Sequence, residues 1–187
     1  MSREKNNRVC PVENAGGLDS RIRKFFHNPK KILQPYIREG MTALDVGCGP
    51  GVFTIEMAKM VGPSGRVIAA DLQEGMLQIL SNKIRGAEME KIICLHKCEA
   101  ERTGITNTVD FIFAFYMVHE VPHKQNFLKE MKTILKHGGH LLIVEPNFHV
   151  SKKDFKEMVN SLLDLGFEVV DNPKVFFSRS VLLKNVG

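Results

Sequence analysis

Leu44-Asp45-Val46-Gly47-Cys48-Gly49-Pro50-Gly51 is the stretch from which the rest of the chain can be ordered. Ala43, Leu44 and Val46 are apolar, three glycines follow at alternate positions, and residues 52–61 carry Phe53, Met57 and Val61 on one helical stripe. This predicts a strand, a tight loop and a helix. Glycines let such a loop turn sharply and approach a ligand, and the first N–H groups of a helix have no partner within it. Asp71, twenty residues beyond Gly51, closes a second apolar run over 66–70. A carboxylate at the tip of that strand can accept both hydroxyls of a ribose.

The spacing Gly47-x-Gly49-x-Gly51 differs from the G-x-G-x-x-G of dinucleotide sites, whose third glycine sits one position later. Asp45, two residues before the first glycine, brings a negative charge that suits a ligand carrying an amine rather than a phosphate. Together with Asp71, this D-x-G-x-G-x-G resembles motif I of the class I S-adenosylmethionine-dependent methyltransferases. The resemblance implies an α/β fold: a Rossmann-like, doubly wound sheet of seven strands, mostly parallel, with a C-terminal antiparallel hairpin and helices on both faces. It also implies S-adenosylmethionine as cofactor. Asp45 and the backbone of Gly47, Cys48, Gly49 and Gly51 would lie near its amino-acid end and Asp71 on its ribose. Leu72 and Met76 would lie beside the adenine, Glu99 and Ala100 at the adenine edge, and Phe115 near the sulfur.

At 187 residues, with 43% hydrophobic and 25% charged side chains, the chain fits a single soluble domain with a substantial core. We expect 1–40 to form N-terminal lid helices and 41–187 the Rossmann-like core. The first seventeen residues have no apolar leader, and no stretch approaches the length of a membrane span, so a cytoplasmic protein is expected. Four cysteines without a secretory signal (Cys10, Cys48, Cys94, Cys98) read as free thiols. The net charge of +5 resides entirely in residues 1–40, which hold nine Lys/Arg against four acids, while the remaining 147 residues carry seventeen of each sign. That basic segment reads equally as a solvated helix face or as a surface for an anionic acceptor.

Along the chain, 18–26 predicts a short amphipathic helix, broken by Asn28-Pro29, and Ile32, Leu33, Tyr36 and Ile37 supply a second stripe before Gly40. Further helices are expected over 75–84 and 124–135 and from Ser151 to a stop at Gly166; strands are expected over 92–96, 109–115 and 140–145. The nearly continuous apolar run 109–115 suits a central strand covered on both faces. The strands 167–170 and 176–183 have no helix between them and should pair antiparallel. The 135–139 stretch, Leu-Lys-His-Gly-Gly, resembles the family's turn before the fifth strand, with His137 replacing its usual proline.

Two metal readings compete. Cys94, His96 and Cys98 share a strand face, but alternate residues repeat every ~6.6–6.8 Å, which separates the two thiols by ~13 Å. His119-Glu120-Val121-Pro122-His123 has H-E-x-x-H spacing, a zinc-hydrolase pattern that needs both histidines on one continuous helix. Pro122 opposes that helix. The segment reads better as a loop, with His119, and secondarily Tyr116, facing the methyl acceptor as candidate general bases. No N/D-P-P-Y/F and no Pro-Cys follows the fourth strand, which argues against nucleic acid and for a small-molecule acceptor. The third alternative is a cofactor-binding protein without catalysis.

Overall fold

The computed structural model describes residues 27–99 and 102–187. Its elements run α1 (Pro29–Leu33), β1 (Thr42–Val46), α2 (Val52–Val61), β2 (Arg66–Asp71), α3 (Glu74–Ile84), β3 (Ile93–Lys97), β4 (Val109–Phe115), α4 (Lys124–Ile134), β5 (Leu135–Pro146), α5 (Lys152–Asp164), β6 (Phe167–Asp171) and β7 (Ser178–Asn185). Short 3-10 turns occupy Glu88–Lys91 and Val118–Glu120. The helix expected over 18–26, together with Cys10 and Ala100, lies outside the described residues.

The strands form one seven-stranded sheet in the order β3-β2-β1-β4-β5-β7-β6. β1 to β5 pair in parallel, and β7 runs antiparallel to both β5 and β6. This is the expected architecture, with the order reversing between β1 and β4, where open α/β sheets bind their ligands.

Side-chain alternation assigns the two faces. Leu44, Ile68, Ile112, Leu141 and Ile143 meet Leu128, Met131 and Leu162 of α4 and α5 on one side. Ala43, Ala69, Phe111, Phe113 and Leu142 meet Leu33, Met57, Leu77 and Leu80 from α1, α2 and α3 on the other. A central strand covered on both faces is predominantly apolar, hence the nearly continuous run of β4, in which only the half-buried Asp110 is polar. Serine at 151 caps α5 by accepting from the Asp154 N–H at 3.1 Å, as the sequence box predicts.

The largest departure from the sequence reading lies before the fifth strand. Val109 pairs with Leu135 directly after α4, and the ladder then shifts register before Phe111 meets His140. Leu-Lys-His-Gly-Gly is therefore drawn into β5 as an irregular lead-in, with Gly138 at φ +77° absorbing the extra length.

The antiparallel edge is tied to α4 by the buried Asn185 and the half-buried Lys132, a contact that no periodicity reveals. Lys132 Nζ donates to the Gly166 carbonyl at 2.7 Å and to Asn185 Oδ1 at 2.5 Å, while Asn185 Nδ2 donates to the Leu135 carbonyl at 2.6 Å. Asn185→Ala strands these partners in the interior, and a loss of about 2–3 kcal/mol is expected, read as a lower urea midpoint. An unchanged midpoint would show that the contact carries no stability.

Candidate functional site

β1 ends at Val46 and α2 begins at Val52, leaving five residues to turn the chain. Gly47, Gly49 and Gly51 all take left-handed φ values of +72°, +52° and +84°. A Cβ on Gly51 would lie 2.3 Å from Leu80 Cδ1 and one on Gly47 2.8 Å from Met117 Cγ, so these two glycines permit close packing. A Cβ on Gly49 would meet nothing within 4 Å. Gly49 thus borders open space, a cradle in which backbone alone faces a ligand.

Two acids flank this cradle. Asp71, at the end of β2, accepts the Gly49 N–H and the Gln73 N–H, each at 2.8 Å, so the carboxylate fixes the loop as well as standing at its mouth. Burial pushes its carboxyl above the ordinary range, against the pull of those donors. Asp45 in β1 is 2% exposed and accepts the Thr54 hydroxyl at 2.5 Å. Burial, reinforced by the charge of Asp71, raises Asp45 to about 7. A cation placed beside this pair would relieve their repulsion and draw off the proton. An ammonium or sulfonium ligand fits that requirement and a phosphate does not. The cradle and these two acids therefore fit S-adenosylmethionine.

The remaining expected cofactor residues spread around the cradle. Leu72 stands exposed at the end of β2, whereas Met76 is buried in the first turn of α3. The Cys48 thiol is buried, and burial raises it well above its ordinary value, so it acts as packing. Cys98, also buried, donates its N–H to the Asp71 carbonyl at 2.9 Å and so joins the end of β3 to the cradle. Glu99 points outward, two-thirds exposed, and pairs with Arg102 at 2.8 Å.

The second half of the site follows β4. Phe115 packs 4.6 Å from Phe53 and stacks 4.2 Å from the Tyr116 ring. Tyr116 adopts φ +58°, a costly conformation for an aromatic residue, and its hydroxyl lies 2.6 Å from Ser178 Oγ and 3.2 Å from His27 Nε2. His27 Nε2 also reaches the Phe176 carbonyl at 2.9 Å, so the N-terminal segment, the β4 turn and the final hairpin meet here. One 3-10 turn later, His119 Nδ1 lies 2.5 Å from Glu145 Oε2. Glu145 is 1% exposed and also accepts the Val118 N–H at 2.8 Å.

Glu145 was not among the residues singled out from sequence, although an acid closing the apolar run Leu141 to Val144 is a usable signal. Thr54, hidden on the buried stripe of α2, carried none. The H-E-x-x-H spacing is not on one helix. The 3-10 turn ends at Glu120, Val121 is extended, and His123 is the N-cap of α4. His119 and His123 therefore lack the one-turn relation that zinc hydrolysis requires.

A family model described as Methyltransferase domain matches residues 37–173. A demethylmenaquinone methyltransferase of Lactobacillus johnsonii is 33% identical over 147 residues, 78% of this chain and 54% of that protein. One from Staphylococcus aureus is 37% identical over 109 residues, 58% of this chain and 44% of that protein. The chain thus spans about half the length of these relatives. Among solved structures, a SAM-dependent methyltransferase from Aquifex aeolicus superposes with a TM-score of 0.85 at 30% identity, covering 95% of this chain and all of that one.

Asp45 gives the site a pH signature. Its carboxyl is raised from 3.8 to about 7, so the folded protein holds a proton that the unfolded chain releases. Its contribution to stability is present below that window and is lost as pH rises through about 7. Asp45→Asn should flatten this decline in urea titrations. Affinity for S-adenosylmethionine should climb over the same interval in the wild type and stay level in Asp45→Asn; pH-independent wild-type binding would contradict the placement of Asp45. Asp71→Ala should weaken binding more than tenfold with the circular dichroism spectrum intact, and unchanged affinity would contradict the placement of Asp71. The glycine loop with its two acids, the order of the strands and the relatives agree: this chain belongs to the class I S-adenosylmethionine-dependent methyltransferases.

Proposed function

We propose that the chain transfers a methyl group from S-adenosylmethionine to a small-molecule acceptor of the quinol type, held between the cradle and the turn after β4. The observation that carries this reading is the contact between the two halves of the site. Gly47 packs against Met117, which follows Tyr116 and precedes His119 by two residues, so the cofactor loop and the acceptor-side turn share one wall. The names of the relatives favour a quinol over other small molecules.

When bound, S-adenosylmethionine supplies an electrophilic methyl on a sulfonium. The chain's own residues bind, orient and exclude water. Asp45 and Asp71 fix the two ends of the cofactor, with the backbone of Gly47 to Gly51 between them. Phe115 and Phe53 form an apolar wall beside the place the sulfur would occupy. Holding two reactants in line supplies a large part of the rate in such transfers. Tyr116 and His119 face the acceptor, and His119 is the group placed to take a proton from it.

The test is incubation with methyl-labelled cofactor and a short-chain 2-demethyl naphthoquinol, followed by mass analysis of the product. Incorporation of one labelled methyl per acceptor supports the reading. In a sample that binds the cofactor, label found only on a thiol or an amine, or on nothing, would overturn it. His119→Ala should lower turnover by about a hundredfold while cofactor affinity, measured by calorimetry, stays near wild type. Loss of cofactor binding in that variant would remove His119 from the acceptor side.

A further inference from the structure

Glu145 has a placement that packing does not explain. It follows the apolar run Leu141 to Val144 near the end of β5, is 1% exposed, and spends one carboxylate oxygen on the Val118 N–H at 2.8 Å and the other on His119 Nδ1 at 2.5 Å. A buried carboxylate is costly to keep, and here it holds both the backbone of the 3-10 turn and the ring that turn carries. The groups facing His119 are Glu145 from β5, Glu120 of the same turn with Oε1 3.9 Å from Nε2, and His149 after β5, whose ring stacks at 5.7 Å.

We propose that Glu145 is the positioning residue of a carboxylate–histidine pair, and that this pair makes the enzyme one for acceptors with a conjugated hydroxyl, a phenol or an enol. The inference rests on the methyl-transfer reading above and names the feature of the acceptor, an ionisable conjugated hydroxyl, that the pair serves. With Nδ1–H donated to the carboxylate, the neutral ring presents Nε2 as its proton acceptor. Glu145 fixes that tautomer and stabilises the imidazolium that forms. The His119 side chain is 22% exposed, so its outer edge remains accessible.

The balance is simple. The acceptor O–H bond breaks, its proton goes to Nε2, and its electron pair stays on the acceptor. The new bond forms from the acceptor's oxygen, or from the ring carbon conjugated with it, to the methyl carbon. The sulfur–carbon bond breaks with its pair returning to sulfur. If carbon attacks, the hydrogen on that carbon moves to oxygen as the ring regains aromaticity. One proton is released to solvent by either route. A thiolate or a metalloid lone pair needs no such base, so the pair would be idle for those acceptors.

The test uses the full chain and a series of substituted 1,4-naphthalenediols graded in hydroxyl acidity. Glu145→Gln should lower kcat at least tenfold with KM and cofactor affinity little changed. That penalty should shrink steadily as the diol becomes more acidic, because an acceptor that ionises unaided needs no base. In nitrogen-labelled wild type, the Nδ1–H of His119 should appear as a strongly downfield proton resonance that is absent from Glu145→Gln, a signature readable without any acceptor. A kcat penalty uniform across the series, or a His119 ring carrying its proton on Nε2 in the wild type, would overturn the proposal. Where the wild type binds the cofactor yet methylates none of the diols, the quinol reading fails as well. Where it methylates them but the penalty is flat, only the role of Glu145 fails. A melting curve of Glu145→Gln matching wild type excludes simple unfolding, and Glu145→Asp should recover part of the lost kcat.

Discussion

The ligand-facing end of the molecule depends on a backbone conformation that only glycine adopts at low cost. Between β1 and α2 the chain reverses through three left-handed residues, and the carboxylate of Asp71 binds the middle one through its N–H at 2.8 Å. Together with the Gly47 and Cys48 N–H groups, which donate to the Ala70 carbonyl at 2.8 and 3.0 Å, that hydrogen bond ties the loop after β1 to the end of β2, beside the point where the strand order reverses. Gly51 lets Leu80 of α3 approach closely, Gly47 does the same for Met117, and Gly49 remains open. Close packing on two sides of the loop and empty space at its centre make a cradle rather than a simple turn.

Charge completes what geometry begins. Asp45 and Asp71 are both largely buried and both raised by that burial, an arrangement that is unfavourable for the folded chain alone. Such stored cost is common at binding sites and is relieved by a cationic ligand. On the far side of the same wall, Glu145 repeats the principle with a different outcome. Its two oxygens are taken up by the His119 ring and the Val118 N–H, so it orders the turn that carries that ring. Buried carboxylates thus stand at both places, Asp45 and Asp71 raised by their burial and Glu145 taken up by a ring nitrogen and a backbone N–H.

The order of strands and helices was legible because each element has one strong periodic signal. The i, i+3, i+4 stripe of α4, the nearly continuous apolar run of β4 and the glycine triplet after β1 leave few alternative topologies. The lead-in to β5 was misread because Gly138-Gly139 is a turn signal in sequence. Pairing of Leu135 with Val109 is a long-range fact that only the assembled sheet contains. At the site, Asp45 and the glycines stand out from spacing within one short segment, and Asp71 from its place closing the next apolar run. Glu145 carried only the weak signal of an acid closing an apolar run, because its partner His119 becomes adjacent to it only after β4 and β5 pair. The same holds for Thr54 on Asp45, for Lys132 on Asn185, and for the meeting of His27, Tyr116 and Ser178. Glu99, which follows β3, pairs its carboxylate with Arg102 three residues on, a contact that spacing alone did not single out.

The central claim is that the cradle between Asp45 and Asp71 is built for a sulfur nucleoside. Calorimetric titration of the purified chain with S-adenosylhomocysteine, alongside NAD at the same concentration, tests it most directly. Saturable binding of the sulfur nucleoside at one site per chain, with no heat from NAD, is the result predicted here. Binding of NAD in its place, or no binding by a folded sample, would contradict it.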